Sequence, residues 1–525
     1  MRTSSSKAMA HTLSVIICCF ALQQAARAAQ FSAVVNYPTG VNPFGVAVGD
    51  FNRDGIPDLV VANAYQNGGP GTVSILLGNG DGTFRASREF DAGGSETTAV
   101  AVGDFNHDGK PDLVVANYAG GGGPSNVAVL LGNGDGTFMP AVVYTAGISP
   151  DFAAVADFNG DGNLDFVAGS NAGGPAVGNS GVVSIFLGDG SGTFAPAVNY
   201  PTGIVAASIT VADLNRDGRL DLAVANENSD DVSVLLGRGD GTFQASVNYP
   251  AGPGPADIAS GDFNGDGKLD LVVANAGSSF GTTVSVLLGN GDGTFQAPVS
   301  YPAGDEPFSV AIGDFNMDGK LDLIVADAGA SSGTTVNLLL GNGDGTFQAA
   351  AAYTVGTGAV SVAAADLNAD GLLDVAVANI SSNNVSVLLN AGTACHAPPD
   401  IADIRARPDT LRPTGRLVDV YVGYHATSGC GGSPVCSLSV GSNEPLTARD
   451  YRIIDAHHVE LRAKGSHREE RERSDGRMYT IQVSCTDGQG NVARGDTVVT
   501  VSEDHRRHHD RDSESEEEGS GRSSH

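Results

Sequence analysis

Asp262-Phe263-Asn264-Gly265-Asp266-Gly267-Lys268-Leu269-Asp270 is the stretch on which the reading of this chain turns. Oxygen-bearing side chains fill its first, third, fifth and ninth positions, and glycine fills the sixth. That alternation suits a hard cation: calcium takes about 6–8 oxygen ligands, and a tight loop supplies them from alternate residues plus a backbone carbonyl. Glycine at the sixth place lets the backbone turn through positive φ without steric cost. The stretch recurs from Asp50, Asp104, Asp157, Asp213, Asp262, Asp314 and Asp366, a spacing near fifty residues that suits a solenoid or a propeller.

Comparing the seven copies with one another separates ligands from scaffold. Positions one, five and nine are always Asp, three is always Asn and six is always Gly. Position seven varies freely, as expected where only the carbonyl is used. The expected calcium ligands are therefore Asp50, Asn52, Asp54, Asp58 and the carbonyl of Ile56 in the first loop, and Asp104, Asn106, Asp108, Asp112 and Lys110 in the second. In the third and fourth they are Asp157, Asn159, Asp161, Asp165 with Asn163, and Asp213, Asn215, Asp217, Asp221 with Arg219. In the fifth and sixth they are Asp262, Asn264, Asp266, Asp270 with Lys268, and Asp314, Asn316, Asp318, Asp322 with Lys320. The seventh has Asp366, Asn368, Asp370, Asp374 with Leu372. Up to seven Ca2+ ions are expected, one per repeat. The competing account is an Asx-type turn closed by side-chain-to-backbone bonds alone. Positions two and eight are apolar throughout and are expected to pin each loop to a sheet.

Around each loop the sequence reads as four short strands. In the first copy an apolar run from Gly45 to Val48 enters the loop and Leu59-Val60-Val61-Ala62 leaves it. A third run, Val73 to Leu77, precedes a Gly-Asn-Gly-Asp-Gly-Thr-Phe turn and a fourth strand. Continuous apolar runs with β-branched residues suit strands buried on both faces. The fourth strand starts at a Phe with an aromatic six residues on, as in Phe84/Phe90 and Phe295/Tyr301. An extra copy, Phe31/Tyr37, precedes the first loop, whereas the last repeat stops after its third strand at Leu389. A strand owned by the N-terminus and missing from the last repeat predicts a closed ring, since closure leaves only short, protected edges. The expected fold is all-β: a seven-bladed β-propeller over residues 30–393.

The 60 acidic and 29 basic residues of the 525 give a net charge of −31, which argues against nucleic acid as a partner. Residues 1–29 read as a secretory signal, with Arg2 and Lys7, an apolar core from Leu13 to Leu22, and Ala26-Arg27-Ala28 as cleavage site. That core is too short to span a bilayer, so a secreted or periplasmic, monomeric protein with no integral membrane segment is expected. Cys395, Cys430, Cys436 and Cys485 follow the propeller, and four cysteines allow three pairings.

Gly-Asp-Phe-Asn-x-Asp-Gly-x-x-Asp followed by Leu-Val-Val-Ala-Asn resembles the FG-GAP or VCBS repeat, the unit of the calcium-loaded propeller of integrin α chains and of many exported bacterial proteins. The resemblance implies that the calcium loop joins the first two strands of a blade. It also implies that ligands dock on the opposite face.

After a linker at 394–399, residues 400–502 alternate apolar and polar in strand-length pieces, and an all-β sandwich of about 100 residues fits. This segment resembles the Ig-like modules of bacterial surface proteins. Cys436 and Cys485 lie on expected strands, placed to cross-link the two sheets. Residues 503–525 are charged, contain His505, His508 and His509, and are expected to be disordered.

The Gly-rich turn lacks the Lys-Ser/Thr ending of a phosphate loop and reads as a hairpin. Arg238-Gly239-Asp240 and Arg494-Gly495-Asp496 are explained by a turn and a strand start. His107 is the propeller's single histidine, so no Ser-His-Asp or Cys-His set can be assembled there. Glu96, Asp257, Asp305 and Glu306 fall on the face away from the loops and read as scattered solvated charges. Tyr65 and Tyr118 are possible sugar platforms in a chain without Trp. The function expected is non-catalytic binding or adhesion to an extracellular protein or glycan. A lectin-like propeller, and a polysaccharide lyase or hydrolase on the same scaffold, are the alternatives.

Overall fold

The computed structural model describes residues 29, 31–64, 69–118, 125–172, 180–277, 281–329, 332–391, 399–427, 434–464, 477–486 and 491–502. The expected signal segment before Ala29, most of the linker, the charged tail, Tyr65, Cys395 and Cys430 lie outside the described residues. Two compact units divide the chain, Met1–Ala394 and Cys395–His525.

The first unit holds seven four-stranded antiparallel sheets. Six are built in chain order from an inner strand, such as Pro43–Gly49, to an outer one, such as Arg88–Ser95, and the last supplies only its first three strands in that way. The inner strands touch in a cycle, each against the next, and Ala359–Ala365 of the last against Pro43–Gly49 of the first. This is a closed β-propeller. In its final sheet the outer strand is Val35–Pro38, paired with Asn384–Val387 from the other end of the unit. Phe31 bridges Asn390, and Ser32 N donates to Leu389 O at 2.7 Å. The offset seen in the repeats is thus the closure of the ring.

Burial follows from the residue pattern. The second strand of the first blade, Asp58–Asn63, is buried throughout, because Leu59 and Val61 pack on the last blade while Val60 packs on the second. Both faces of the sheet are interior, so an uninterrupted apolar run is required. Outer strands are mostly exposed, and the half-buried residue is the aromatic, as in Val247–Pro250. That aromatic packs edge-on against the Phe of the next blade: Tyr37 on Phe84 at 5.5 Å, Tyr200 on Phe243 at 5.6 Å, and Tyr301 on Phe347 at 5.5 Å. Aromatic pairs of this geometry contribute about 0.5–1.5 kcal/mol beyond the area they bury. The fourth strand proper begins four residues later than expected, at Arg88 rather than Phe84. Phe84 itself only bridges Gly78 across the turn.

The second unit carries two four-stranded sheets that share one core. Val420, Val459 and Leu461 meet Tyr479, Ile481 and Val499 there. Cys436 and Cys485 form a disulfide, yet not between the sheets: they face each other on adjacent strands of one sheet, with Cα atoms 4.0 Å apart. Sequence shows only that both lie on strands. The register that sets them opposite each other is a tertiary property.

Candidate functional site

The nine-residue loops join the inner and second strands at one end of the propeller. In the fifth, Asp262 Oδ1 accepts from Gly265 N at 2.8 Å and Oδ2 from Gly267 N at 2.8 Å. Asn264 Oδ1 accepts from Asp266 N at 2.9 Å, and Asp266 Oδ1 from Lys268 N at 3.0 Å. Position four, which varies freely in sequence, has positive φ in every copy, including Arg53, His107, Arg216, Met317 and Ala369. His107 Nε2 lies 3.0 Å from Asn163 Oδ1 of the next loop, a structural contact between neighbours.

The ninth residue does more than its place in a ligand set suggests. Asp270 is fully buried. Its Oδ2 accepts from Phe263 N at 3.0 Å, and its Oδ1 from Gly289 N, in the Gly-rich turn, at 2.8 Å. The same clasp is made by Asp58, Asp112, Asp165, Asp221, Asp322 and Asp374. In the last blade, where the turn is missing, Asn390 N replaces the glycine. Asn390 Nδ2 also donates to Phe315 O at 2.9 Å, matching the Gly345 N to Phe263 O bond of the preceding pair of blades. The two repeated motifs are therefore one bonded unit.

Burial pushes the Asp58, Asp112, Asp221 and Asp374 carboxyls up to about 6 and Asp322 to about 7. In four of them, Asp112, Asp221, Asp322 and Asp374, repulsion from both the first- and fifth-position aspartates adds to this; for Asp58 it comes from Asp54. Three carboxylates, an amide oxygen and a carbonyl give each loop hard oxygen donors of the kind calcium takes, although among the described residues no three acidic side chains are gathered into a group that could hold a metal ion. Each carboxylate oxygen retains a second acceptor site beside its N–H partner. On the solvent side, Lys110 and Lys268 pair with Asp108 and Asp266 at 2.8 and 2.9 Å, and Arg219 and Lys320 approach Asp217 and Asp318 at 3.6 and 3.9 Å. Position-seven side chains in these loops thus act as counter-charges, which sequence variability had hidden.

Replacing Asp322 by Ala leaves Phe315 N–H and Gly341 N–H without acceptors. At about 1–3 kcal/mol per orphaned donor, a loss of about 2–6 kcal/mol is expected in urea unfolding. A loss under 0.5 kcal/mol would refute the clasp.

At the far end of the inner strands, about 20 Å away for a seven-residue strand, every blade repeats a second device. The register slips by one residue between Pro43 and Gly45, Thr97 and Ala99, Pro150 and Phe152, Ala206 and Ser208, Pro255 and Asp257, Pro307 and Ser309, and Ala359 and Ser361. Such bulges re-aim side chains. Each bulge follows a residue of positive φ, among them Glu96, Val205 and Glu306. The bulged residues Phe44, Thr98, Asp151, Ala207, Ala256, Phe308 and Val360 all line one cavity of about 220 Å³ on the propeller axis. Phe44 and Phe308 meet edge-on at 5.6 Å. Asp257 accepts from Ser208 Oγ at 2.6 Å, Ile258 N at 2.8 Å and Val310 N at 2.9 Å. Glu227 and Glu306 complete an acidic lining that contains no Lys, Arg or His.

Burial raises the Asp151 carboxyl to about 6, with repulsion from Glu227 adding and a Thr98 hydrogen bond opposing. Burial raises Asp257 and Glu227 as well. Asp257 and Glu306 were visible in sequence but read as scattered and solvated. Asp257 is instead half-buried and bonded, and Glu96 and Asp305 do not line the cavity. Asp151 and Glu227 were missed. The available signal for Asp151 was its place at the start of an inner strand, and for Glu227 its place just after Asn226.

A raised carboxyl takes up its proton in the folded protein at a pH where the unfolded chain has already lost it. Asp151 therefore costs stability above about pH 6, and the cost fades as pH falls toward 4. Asp151→Asn should melt higher than the parent at pH 7.5 and converge with it near pH 4. An equal difference at both pH values would contradict this environment.

A family model for the FG-GAP-like repeat matches residues 50–115, 107–168, 175–224, 213–273, 262–325 and 318–377. These matches cover more than half of the sequence, and the chain belongs to the FG-GAP-like repeat family. It is 29% identical over 207 residues to phosphatidylinositol-glycan-specific phospholipase D of Bos taurus, a match spanning 34% of this chain and 22% of that protein. The chain thus aligns with about a fifth of that relative's length. The fold is similar, with a TM-score of 0.45 and 18% identity, to a periplasmic gluconolactonase of Pseudomonas aeruginosa, over 60% of this chain and 86% of that one.

The non-enzymatic reading of the sequence is corrected by the first of these relatives. A phospholipase contains a segment like this one, so these repeats occur within an enzyme. Asp257 and Glu306 read in sequence as scattered solvated charges because their convergence with Asp151 and Glu227 on one cavity is set by contacts between blades, which no local pattern shows. Among the described residues no helix is long and apolar enough to cross a membrane.

Proposed function

We propose that this chain is an exported, calcium-stabilised propeller that binds an extracellular glycan or protein at the acidic mouth of its axial channel. The convergence of seven bulged residues on one cavity carries this reading. The loops at the other end, alike in every blade, fit a fastening role, whereas the mouth differs from blade to blade as a recognition surface must. Carboxylates, hydroxyls and phenyl rings without any basic group favour a ligand that brings hydrogen-bond donors. A sugar hydroxyl cluster or a basic side chain has that character. A glycan array and a panel of basic peptides test it, with Asp257→Asn and Phe308→Ala expected to lower binding at least tenfold. Binding that survives both substitutions would overturn the mouth as the site.

A second reading is supported by the Asp151 carboxyl. An acid titrating near 6 beside Glu227 holds its proton in mildly acidic solution and can donate it to a leaving group there. Hydrolysis of a glycoside or phosphodiester would then decline as pH rises through about 6, and would be lost in Asp151→Asn. A panel of polysaccharides and phosphodiesters showing no turnover at pH 5 would reject it.

A further inference from the structure

We propose that the sixth blade carries a divalent-cation site of its own, formed by Asp327 and Asp305 at the end of the propeller away from the nine-residue loops. Asp327 ends the second strand, Asp322–Asp327. The corresponding residue is neutral in the other blades: Asn63, Asn117, Asn226, Asn275 and Asn379, with Ser170 in the third. Only here does a carboxylate stand in this interior position.

Asp327 is 7% exposed. Its Oδ2 accepts from Thr335 Oγ1 at 2.8 Å and Asn337 Nδ2 at 3.4 Å, while Oδ1 has no hydrogen-bond partner. Some of the asparagines also leave an amide oxygen unpaired, but theirs is neutral and the amide can rotate to present its other edge. A carboxylate has no such remedy, and an uncompensated buried charge is far more costly than an unpaired amide. No ion pair among the described residues reaches Asp327.

The unpaired oxygen faces a space kept open by the absence of a side chain. Asp327 Oδ1 lies 3.8 Å from the point where a Cβ on Gly329 would stand, and Asp305 Oδ2 and Asp305 O each lie 3.9 Å from the same point. Gly329 has φ +47° and donates its N–H to Asp305 O at 2.9 Å, which leaves that carbonyl a second lone pair. Two carboxylates and a carbonyl thus border one small cradle. Asp305 is exposed, so water can complete the shell of a cation held there.

Blade five serves as an internal control. Gly277 has a similar φ of +59°, and the carbonyl of Pro253 lies 3.4 Å from its Cβ point. The residues there are Asn275 and Pro253, and Asn275 Oδ1 is already satisfied by Gly252 N at 3.2 Å. The glycine turn is similar, but its N–H goes to Gly254 O at 3.4 Å and no carboxylate borders it, so that blade has no use for an ion. All-oxygen donors with two negative charges select a hard divalent cation, the class of calcium, magnesium and manganese. Glu306, the neighbour of Asp305, lines the channel mouth, so an ion here would also steady that rim.

Native mass spectrometry of the full chain in calcium tests the site, comparing the parent with Asp327→Asn, Asp305→Asn and, as a loop control, Asp266→Asn. Asp327→Asn restores the residue found in five other blades and should fold as the parent does. One ion fewer than the parent is expected for Asp327→Asn, and at least tenfold weaker retention of that ion for Asp305→Asn. An unchanged count in Asp327→Asn overturns the site, even if Asp266→Asn loses an ion. Loss in Asp327→Asn with none in Asp266→Asn upholds it and tells against the loop instead. A parent without any bound ion overturns both.

Discussion

Chelation of calcium lowers the melting temperature of the propeller by on the order of 20 °C if all seven loops are filled. An ion present at a hundredfold excess over its Kd stabilises the folded state by about 2.7 kcal/mol per site. Unfolding entropy near 2.1 cal/mol/K per residue, over a unit of this length, converts that to about 3 °C for each. The loops should not fill together. Lys110, Arg219, Lys268 and Lys320 already offer a cation to position five of their loops, whereas Ile56, Asn163 and Leu372 do not. The first, third and seventh loops are expected to take calcium at the lowest concentration. Scanning calorimetry with and without chelator reads the total, and a calcium titration reads the order. A melting temperature that does not move would remove calcium from the account and leave the loops as turns closed by their own backbone.

Deletion of residues 31–38 should cost about 6–10 kcal/mol, comparable with the whole stability of a typical domain at about 5–15 kcal/mol. The deletion strips the outer strand from the last blade and leaves Asn384–Leu388 as an open edge. It removes Phe31 from Tyr353 and Tyr37 from Phe84, with ring centroids 4.9 and 5.5 Å apart. Each large apolar side chain returned to water forfeits about 1.5–3 kcal/mol, and each lost strand hydrogen bond about 1 kcal/mol. Because the cut falls at the junction of first and last blades, the loss should appear as one cooperative transition of the entire unit. Circular dichroism melting of the truncated chain would show it, and a shift of only a few degrees would mean that the ring does not depend on its closing strand.

Much of this was legible in residues alone. Repetition of Asp50–Asp58 through Asp366–Asp374 marks the loops, and the apolar runs after them mark strands buried on both sides. The stray Phe31/Tyr37 pair discloses closure. Each is a local pattern with a fixed period. The clasp made by the ninth aspartate was less visible, because its second partner, such as Gly289 for Asp270, lies about twenty residues away in the other motif. Cys436 and Cys485 show the same limit: strand assignment is local, but which strand lies beside which is not.

Sequence by itself thus determined the repeat, the ring, the hard-donor loops and the acidic balance of the chain, since these depend on residue type and spacing within one blade. Tertiary structure alone decided where the chemistry gathers. Asp151, Asp257, Glu227 and Glu306 come from four different blades and meet only because inner strands bulge toward a common axis. Asp327 looks like an ordinary variant of a strand-ending asparagine until its burial and its unpaired oxygen are known. The axial cavity depends on distances between blades, which exist only once the circle is closed, whereas the Asp327 position depends on how the strands and loops of one blade pack.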